Sequence, residues 1–386
     1  METFDVVVIG GGLIGCSIAF ELATKKLKVV VLDKQQPGRE ASWAAAGMLS
    51  PAPDSARDIP LVPLSRESLR IYPEFVRAIE QASGKRTGYA MNGALQIFAE
   101  PYGETERDEM VAEHKRLSLA AEPISIEAAR AKEPSINPAT HAVAFLPEEG
   151  SVEPRLLMDA VISAATRRGV EIRADCAATS LLRERGRCVG VCAGGKIAAK
   201  QVVLAAGCFS GAVDEDKNSS KPYVPTHPVR GQMLALKHQG FRLQRVLRSE
   251  RGYLIPRADG RVVAGSTTED AGFEKKVTAA GTRQILAVAL ELCPELGEAE
   301  IVEAWSGLRP GTPDALPILG PTEMEGLLVS TGHYRNGILL APITARLVRE
   351  WITTGRANFD VKSFSTLRFN RNQQESVSKN ASTVQK

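Results

Sequence analysis

The chain carries almost no net charge. Its 48 Lys and Arg residues and 45 Asp and Glu residues give a formal charge of +3 over 386 residues. Proteins that bind nucleic acid or an anionic membrane surface concentrate basic residues, and so small an excess indicates neither. We therefore expect neither nucleic acid nor membrane among its partners.

Cysteine is scarce and scattered. Only Cys188 and Cys192 lie close together, and no second Cys or His pair accompanies them in the spacing of a metal site. The pattern predicts a reduced, cytoplasmic chain without a bound metal. The six cysteines are Cys16, Cys176, Cys188, Cys192, Cys208 and Cys293.

Long apolar runs are also missing. The apolar N-terminus carries Glu2 and Asp5 where a signal peptide has basic residues, is interrupted by glycines and stops at Glu21. No other segment has the length and apolarity of a membrane span. The N-terminal run is therefore interpreted as the first strand of a fold.

That first strand opens the most informative pattern in the sequence. Residues Val6–Ile9 are four consecutive β-branched residues, typical of a buried parallel strand, and Gly10, Gly12 and Gly15 follow as G-x-G-x-x-G. In a dinucleotide fold these glycines allow a tight turn, a close approach of backbone to pyrophosphate, and close packing of the next helix. The alternative is a structural glycine-rich turn in an α/β domain.

A second strand and an acidic residue strengthen the dinucleotide interpretation. The apolar run Val29–Leu32 ends at Asp33, eighteen residues after Gly15. A carboxylate at this position accepts hydrogen bonds from ribose hydroxyls and repels a 2′-phosphate. This pattern alone leaves NAD and FAD open.

The order of the predicted elements indicates two interleaved domains, one α/β and one β-rich. The chain exceeds the usual size of a single core, in agreement with this division. The predicted dinucleotide-binding domain comprises residues 1–87, 150–225 and 306–369, and the predicted substrate domain comprises residues 88–149 and 226–305. Residues 370–386 are predicted to form a polar, disordered tail. The predicted fold class is α/β, with a Rossmann-like domain interleaved with a β-rich α+β domain.

Five segments together resemble the D-amino-acid oxidase family of FAD enzymes. The resemblance covers nearly all of residues 5–369, and the last two segments resemble its glycine-oxidising branch most specifically. The segments are the glycine-rich start, Ala41–Leu49 (ASWAAAGML), Val203–Gly207 (VLAAG), Trp305–Thr312 (WSGLRPGT) and Gly332–Pro342 (GHYRNGILLAP).

The resemblance implies non-covalent FAD and the oxidative deamination of glycine, sarcosine or a small D-amino acid. In such enzymes a substrate hydride passes to flavin N5, O2 becomes H2O2, and the imine yields glyoxylate and ammonia or enters thiamine thiazole synthesis. A homotetramer is implied as a possibility. Flavin carries the redox chemistry, so no acid–base residue is assigned.

Four residues match the family's substrate-binding positions. Arg309 would bind the substrate carboxylate, because a guanidinium fork fits two oxygens; its alternative is a surface ion pair. Tyr253 would add a hydrogen bond, or is a half-buried strand tyrosine. Arg335 would contact cofactor and substrate, or brace its turn, and Met48 would lie against the flavin, or is a core methionine.

The resemblance also assigns the residues that contact FAD. The helix after Asn336 would direct its positive N-terminal end to the flavin pyrimidine. The predicted contacts are Gly10, Gly12, Leu13, Ile14, Gly15, Asp33, Lys34, Ala41, Ser42, Ala46, Gly47, Met48, Ala178, Gly207, Gly332, His333, Tyr334, Arg335, Asn336, Gly337, Ile338 and Leu339.

Two departures and two alternative functions accompany this resemblance. Arg251 and Thr268 stand where a well-known member has a histidine and a methionine, which makes the predicted pocket rim more polar. One alternative is a D-amino-acid, proline or sarcosine dehydrogenase that uses another electron acceptor. The other is a flavin-binding subunit without catalysis.

Overall fold

The structure is a computed structural model that describes residues 2–213 and 224–369. The predicted disordered tail, 370–386, lies outside the described residues.

Eighteen strands and eight α-helices are found in these residues. The strands are β1 Glu2–Ile9, β2 Val29–Leu32, β3 Met48–Leu49, β4 Ala94–Phe98, β5 Glu122–Ile124, β6 Ala142–Leu146, β7 Gly150–Ser151, β8 Glu171–Arg173, β9 Ser180–Glu184, β10 Arg187–Cys192, β11 Lys196–Leu204, β12 His227–Lys237, β13 Val246–Ser249, β14 Gly252–Pro256, β15 Arg261–Gly265, β16 Glu300–Gly311, β17 Ile318–Pro321 and β18 Leu327–Thr331. The helices are α1 Leu13–Ala23, α2 Ala41–Ala44, α3 Val62–Ser83, α4 Gly103–Arg116, α5 Ile126–Lys132, α6 Pro154–Arg167, α7 Ala279–Leu292 and α8 Gly337–Thr354.

The chain forms two compact units. Unit 1 comprises the described residues within Met1–Arg39, Val161–Pro228 and Arg309–Lys386, and unit 2 comprises Glu40–Ala160 and Val229–Leu308. Residues 40–87 and 150–160 thus pack with unit 2, whereas the sequence groups them with the cofactor domain. One reason is that Ala46 and Met48 pack against a buried cluster of the unit 2 sheet, formed by Ala94, Leu146, Val246 and Ile255. Which segments bind cofactor and which bind substrate stays a prediction.

Unit 1 is built on a largely parallel sheet. The strand order is β17-β18-β11-β1-β2-β8, and the β9–β10 hairpin pairs with β11. Strands β1, β2, β8, β11 and β18 run parallel, and only β17 and the hairpin are antiparallel. Residues Val6–Ile9 are all at most 3% exposed, as expected for a strand that is covered on both faces.

Unit 2 is built on an eight-stranded, mostly antiparallel sheet. The order is β16-β12-β15-β14-β13-β4-β6-β5, with β13 and β4 parallel. Side chains alternate between its faces: Leu254 packs into one buried cluster with Val288 and Leu292 of α7, whereas Tyr253 and Ile255 pack into another cluster. The sheet therefore presents Tyr253 on the face opposite α7.

The predicted fold class is confirmed, with local differences. Helix α3 runs unbroken through Pro73, although a proline inside a helix commonly kinks or divides it. Strand β16 continues to Gly311, so Arg309 lies within a strand. Strand β13 was not predicted; its short segment, Val246–Ser249, is half polar and its pairing is with distant β4.

Candidate functional site

The glycine turn joins β1 to α1 in close contact with its surroundings. Gly10 has φ +106°, and a Cβ there would overlap the Ala205 carbonyl of the neighbouring strand. A Cβ on Gly15 would overlap the carbonyl oxygen of Gly10 itself. The first bond of α1 runs from the Cys16 N–H to the Gly12 carbonyl at 2.9 Å, so the positive helix end faces the turn. This cradle fits a pyrophosphate.

Asp33 lies beside that turn, at the end of β2. Its Oδ2 accepts the Gly11 N–H at 2.7 Å, and its Oδ1 accepts the Gln35 N–H at 3.0 Å. These two bonds orient the carboxylate at the end of β2, the position from which an acid reaches a ribose hydroxyl in a dinucleotide fold. The neighbouring Lys34 is exposed, with its ammonium 3.1 Å from the Phe209 ring centroid.

A second turn leads into α8. The Tyr334 N–H donates to the Pro310 carbonyl at 3.1 Å, and the Asn336 N–H donates to the His333 carbonyl at 2.8 Å. Helix α8 begins at Gly337 and has 18 residues, and its N-terminal end favours an anion. The first of these bonds joins the two most specific motifs of the sequence, because Pro310 directly follows Arg309.

His333 is buried within this second turn. It is 3% exposed, and its Nε2 lies 3.0 Å from Thr344 Oγ1 on α8. Burial lowers the pKa of His333 to about 3, so the imidazole is neutral at physiological pH. It therefore packs and positions α8 and does not act as an acid there.

The buried imidazole predicts a loss of stability in acid. The unfolded chain takes up a proton on His333 below about pH 6.5, whereas the folded chain does so only near pH 3. Above about pH 6.5 His333 therefore does not change the free energy of unfolding with pH. Below that pH, it lowers the free energy of unfolding by up to about 1.4 kcal/mol per pH unit. Urea unfolding of wild type and His333→Gln at pH 7, 6 and 5 measures this, and the variant is expected to have the shallower slope. Parallel slopes would contradict the prediction.

The small-residue segment Ala41–Leu49 is anchored by distant donors in unit 2. The Arg257 guanidinium donates to the Ala46 carbonyl at 2.5 Å, and the Trp305 Nε1–H donates to the Ala44 carbonyl at 3.1 Å. Gly307 has no room for a side chain, because a Cβ there would overlap that of Ala44. Because the side chains of this segment are small, neighbouring residues of unit 2 can contact its backbone directly.

An aromatic stack borders the same segment. The Trp43 and Trp305 rings meet edge to face, with centroids 6.3 Å apart. The Arg155 guanidinium lies 3.6 Å from the Trp43 centroid and forms two 2.9 Å bonds to the Glu303 carboxylate. Arg155, Arg257 and this stack were not predicted from the sequence, since their partners are distant along the chain.

Within unit 2 the structure brings Met48 and Tyr253 together. Both are half-buried and pack against the cluster of Ala94, Leu146, Val246 and Ile255. The Tyr253 hydroxyl donates to Met233 Sδ at 3.5 Å. Met233 was also missed, because in sequence it is one apolar residue of a strand.

The remaining substrate residues have varied exposure. Arg309 is half-buried on β16, and Arg335 is exposed, with its guanidinium 5.5 Å from the Tyr334 ring centroid. Of the two departures, Arg251 is largely exposed and pairs with Glu291 at 2.5 Å, and Thr268 is exposed.

The other predicted cofactor residues lie on the elements already described. Gly207 follows β11, and its carbonyl accepts from Thr331 Oγ1 at 3.0 Å. Ala178 packs against the unit 1 core. Leu13 and Ile14 are in the first turn of α1, Ala41 and Ser42 in α2, Gly47 before β3, Gly332 after β18, and Ile338 and Leu339 in the first turn of α8.

The described residues form neither a cluster of metal ligands nor a helix able to cross a membrane. Among residues 2–213 and 224–369, no three His, Cys, Asp or Glu side chains are grouped in a way that could hold a metal ion. Within that part of the chain, no helix has both the length and the apolarity needed to cross a membrane. All six cysteines are free thiols.

A glycine turn at the end of a parallel strand, with an acid after the second strand, is the arrangement of a dinucleotide-dependent oxidoreductase. Comparison with known proteins identifies the class more closely. The family model described as "DAO: FAD dependent oxidoreductase" matches residues 5–351. The chain belongs to this family of FAD-dependent oxidoreductases, and FAD is its cofactor. The resemblance drawn from the five segments is confirmed.

Individual relatives agree with the family. The chain is 35% identical to the glycine oxidase of Pseudomonas putida, over 90% of this chain and 94% of that protein. It is 35% identical to the bifunctional protein ThiO/ThiG of Synechocystis, over 95% of this chain. The chain spans about half the length of that relative, 54%. The crystal structure of glycine oxidase from Geobacillus kaustophilus is similar with a TM-score of 0.88 and 29% identity, covering 96% of this chain and all of that one.

Proposed function

We propose that this protein is an FAD-dependent glycine oxidase that supplies thiamine thiazole synthesis. The observation that carries the proposal is the bond from the Tyr334 N–H to the Pro310 carbonyl. It places the strand bearing Arg309 against the turn that begins α8, so a carboxylate-binding residue and an anion-stabilising helix end belong to one substructure. Relatives named glycine oxidase, 35% identical over most of both chains, support the same activity.

Different residues of the chain bind different parts of the cofactor. Gly10, Gly12 and Gly15 with the start of α1 hold the cofactor pyrophosphate, and Asp33 accepts from its ribose. The N-terminal end of α8 stabilises negative charge on the flavin. Bound FAD would supply the redox chemistry, the transfer of two electrons from substrate to O2.

Arg309 fixes the substrate by its carboxylate, and Met48, Tyr253 and Arg335 keep their predicted substrate roles. Glycine, O2 and water are converted to glyoxylate, ammonia and H2O2. No side chain needs to remove a proton from the substrate carbon in a hydride transfer, which agrees with a neutral, buried His333. The proposal includes a cytoplasmic location, in line with six free thiols, and a homotetramer by resemblance.

Two coupled measurements test the function. The FAD-loaded protein is titrated without oxygen with glycine, sarcosine, D-alanine and L-proline, and bleaching of the flavin absorbance is followed. The same substrates are then assayed in air for H2O2 and, separately, for reduction of an artificial dye. The expected result is bleaching by glycine and stoichiometric H2O2.

Two other results would overturn the assignment in different ways. Dye reduction without H2O2 would make the protein a dehydrogenase that uses another acceptor. Flavin that no small amino acid bleaches would make it a non-catalytic flavin-binding subunit.

A further inference from the structure

Unit 2 contains a cavity of about 420 Å³ that none of the predicted cofactor or substrate residues lines. It lies where β4 and β13 begin and β14 ends, next to the turn between β14 and β15. Its lining includes Arg242, Arg245, Arg257 and Arg261 and has no acidic residue. Four arginines line one small volume, and like charges at such short range repel unless an anion lies between them.

Two of these arginines form no direct ion pair within the described residues. Arg242 is exposed, and neither it nor Arg245 forms an ion pair with that part of the chain. The Arg245 guanidinium donates once, to the Lys132 carbonyl, and its buried Nε has no acceptor among the described residues. Glu133 lies nearby, but one of its oxygens accepts the backbone N–H groups of Gln244 and Arg245 instead.

The other two arginines are already paired outside the lining. Arg257, with its side chain 5% exposed, pairs with Glu153 at 2.6 Å, and Arg261 pairs with Asp259 at 2.7 Å. Burial, opposed by Glu153 and reinforced by Arg261, holds the pKa of Arg257 below its usual value. These two pairs are neutral overall, so the positive charge that remains at the cavity is that of Arg242 and of Arg245, the second partly offset by the nearby Glu133 carboxylate.

We propose that this cavity binds the phosphoryl group of a small phosphorylated molecule. A phosphoryl group is anionic and so matches the positive charge of Arg242 and Arg245, and its oxygens match the planar donor fork of arginine. The volume exceeds that of a phosphate ion and lies within the usual range of small-ligand pockets, about 300–1,000 Å³, which leaves space for an organic group beyond the phosphate. The site is separate from the glycine turn of unit 1, which holds a cofactor pyrophosphate.

Calorimetric titration of the FAD-loaded protein tests the proposal. The probes are inorganic phosphate, glycerol 3-phosphate, succinate and uncharged glycerol. Saturation with FAD occupies the proposed pyrophosphate site of unit 1, so that the probes cannot bind there. The expected result is saturable binding of glycerol 3-phosphate, with weaker binding of phosphate and none of glycerol. Equal binding of phosphate and glycerol 3-phosphate would restrict the ligand to free phosphate and overturn the organic part of the proposal. Binding of succinate alone, or of no probe, would overturn it entirely.

Matched variants locate the binding. Arg245→Gln is expected to raise the dissociation constant of glycerol 3-phosphate about tenfold, because it removes a charge-assisted bond. Arg242→Gln changes an exposed side chain and is expected to raise it at least about threefold without affecting folding. Arg283→Gln removes the same charge from an exposed position of α7 outside the cavity and is expected to have no effect. Equal effects of Arg242→Gln and Arg283→Gln would overturn the assignment.

Because no variant is assayed for amino-acid oxidation, failure of this proposal and failure of the proposed oxidase activity are separate results.

Discussion

Replacing Gly15 with alanine is expected to yield a protein that retains no FAD and has lost most of its stability. The added Cβ would overlap the Gly10 carbonyl oxygen, a backbone atom that cannot turn aside. Either α1 must move away from β1 or the turn must open, and both changes displace the N–H groups that we propose hold the cofactor pyrophosphate. Overpacking costs about 1–3 kcal/mol and sometimes more, which is a large part of the stability of an ordinary domain.

The measurement is the ratio of FAD to protein after purification, together with the thermal unfolding midpoint. Gly195→Ala is the matched control in unit 1, because no atom lies within 4 Å of the Cβ position of Gly195 and its φ is ordinary. That variant is expected to keep its FAD and its midpoint. A Gly15→Ala protein as yellow and as stable as the control would mean that Gly15 is not at a cofactor turn.

Replacing Arg309 with alanine is expected to lower kcat/KM for glycine by about 10- to 150-fold. This range corresponds to about 1.5–3 kcal/mol for a hydrogen bond to a charged group. Most of the loss is expected in KM, because the guanidinium binds a carboxylate that does not react. The FAD content should stay normal, since the glycine turn and Asp33 are unchanged.

Two further variants sharpen this result. The Arg309→Lys variant keeps the charge but not the planar fork. Its kcat/KM for glycine is expected to lie between the values of Arg309→Ala and wild type. Arg356→Ala removes an exposed arginine from unit 1 and is expected to leave KM unchanged. An unchanged KM in Arg309→Ala would remove Arg309 from substrate binding and favour its alternative as a surface ion pair.

The first strand, turn and helix were predictable from sequence because their signals are local. Val6–Ile9 is apolar throughout, as a strand covered on both faces must be, and the glycines follow at once. The β14–β15 hairpin is equally local, around Ala258-Asp259-Gly260. Such elements depend on neighbours in the chain, and the pattern of residues contains that information.

The donors that anchor Ala41–Leu49 were not predictable in the same way. Arg257 is 211 residues from Ala46, and Trp305 is 261 residues from Ala44. In sequence these residues resemble any strand arginine or core tryptophan, and only the sheet of unit 2 brings them to the segment. The cavity with four arginines is hidden for the same reason: Arg257 and Arg261 follow β14, whereas Arg242 and Arg245 precede β13.

The predicted substrate residues were predictable only in part. Arg309 and Arg335 were assigned by family motifs, and the bond between Tyr334 and Pro310 accounts for why these motifs occur together. Met233, the partner of the Tyr253 hydroxyl, has no motif, since any apolar residue would fit its strand pattern.

The edge-to-face pair of Trp43 and Trp305 makes the protein its own optical probe. The sequence has only three tryptophans, and the third, Trp351, lies on α8 in unit 1. In a Trp351→Phe protein, all indole emission originates beside Ala41–Ala44. Changes in its intensity and wavelength during FAD loading or substrate binding would then follow the ordering of that segment in real time, without an attached dye.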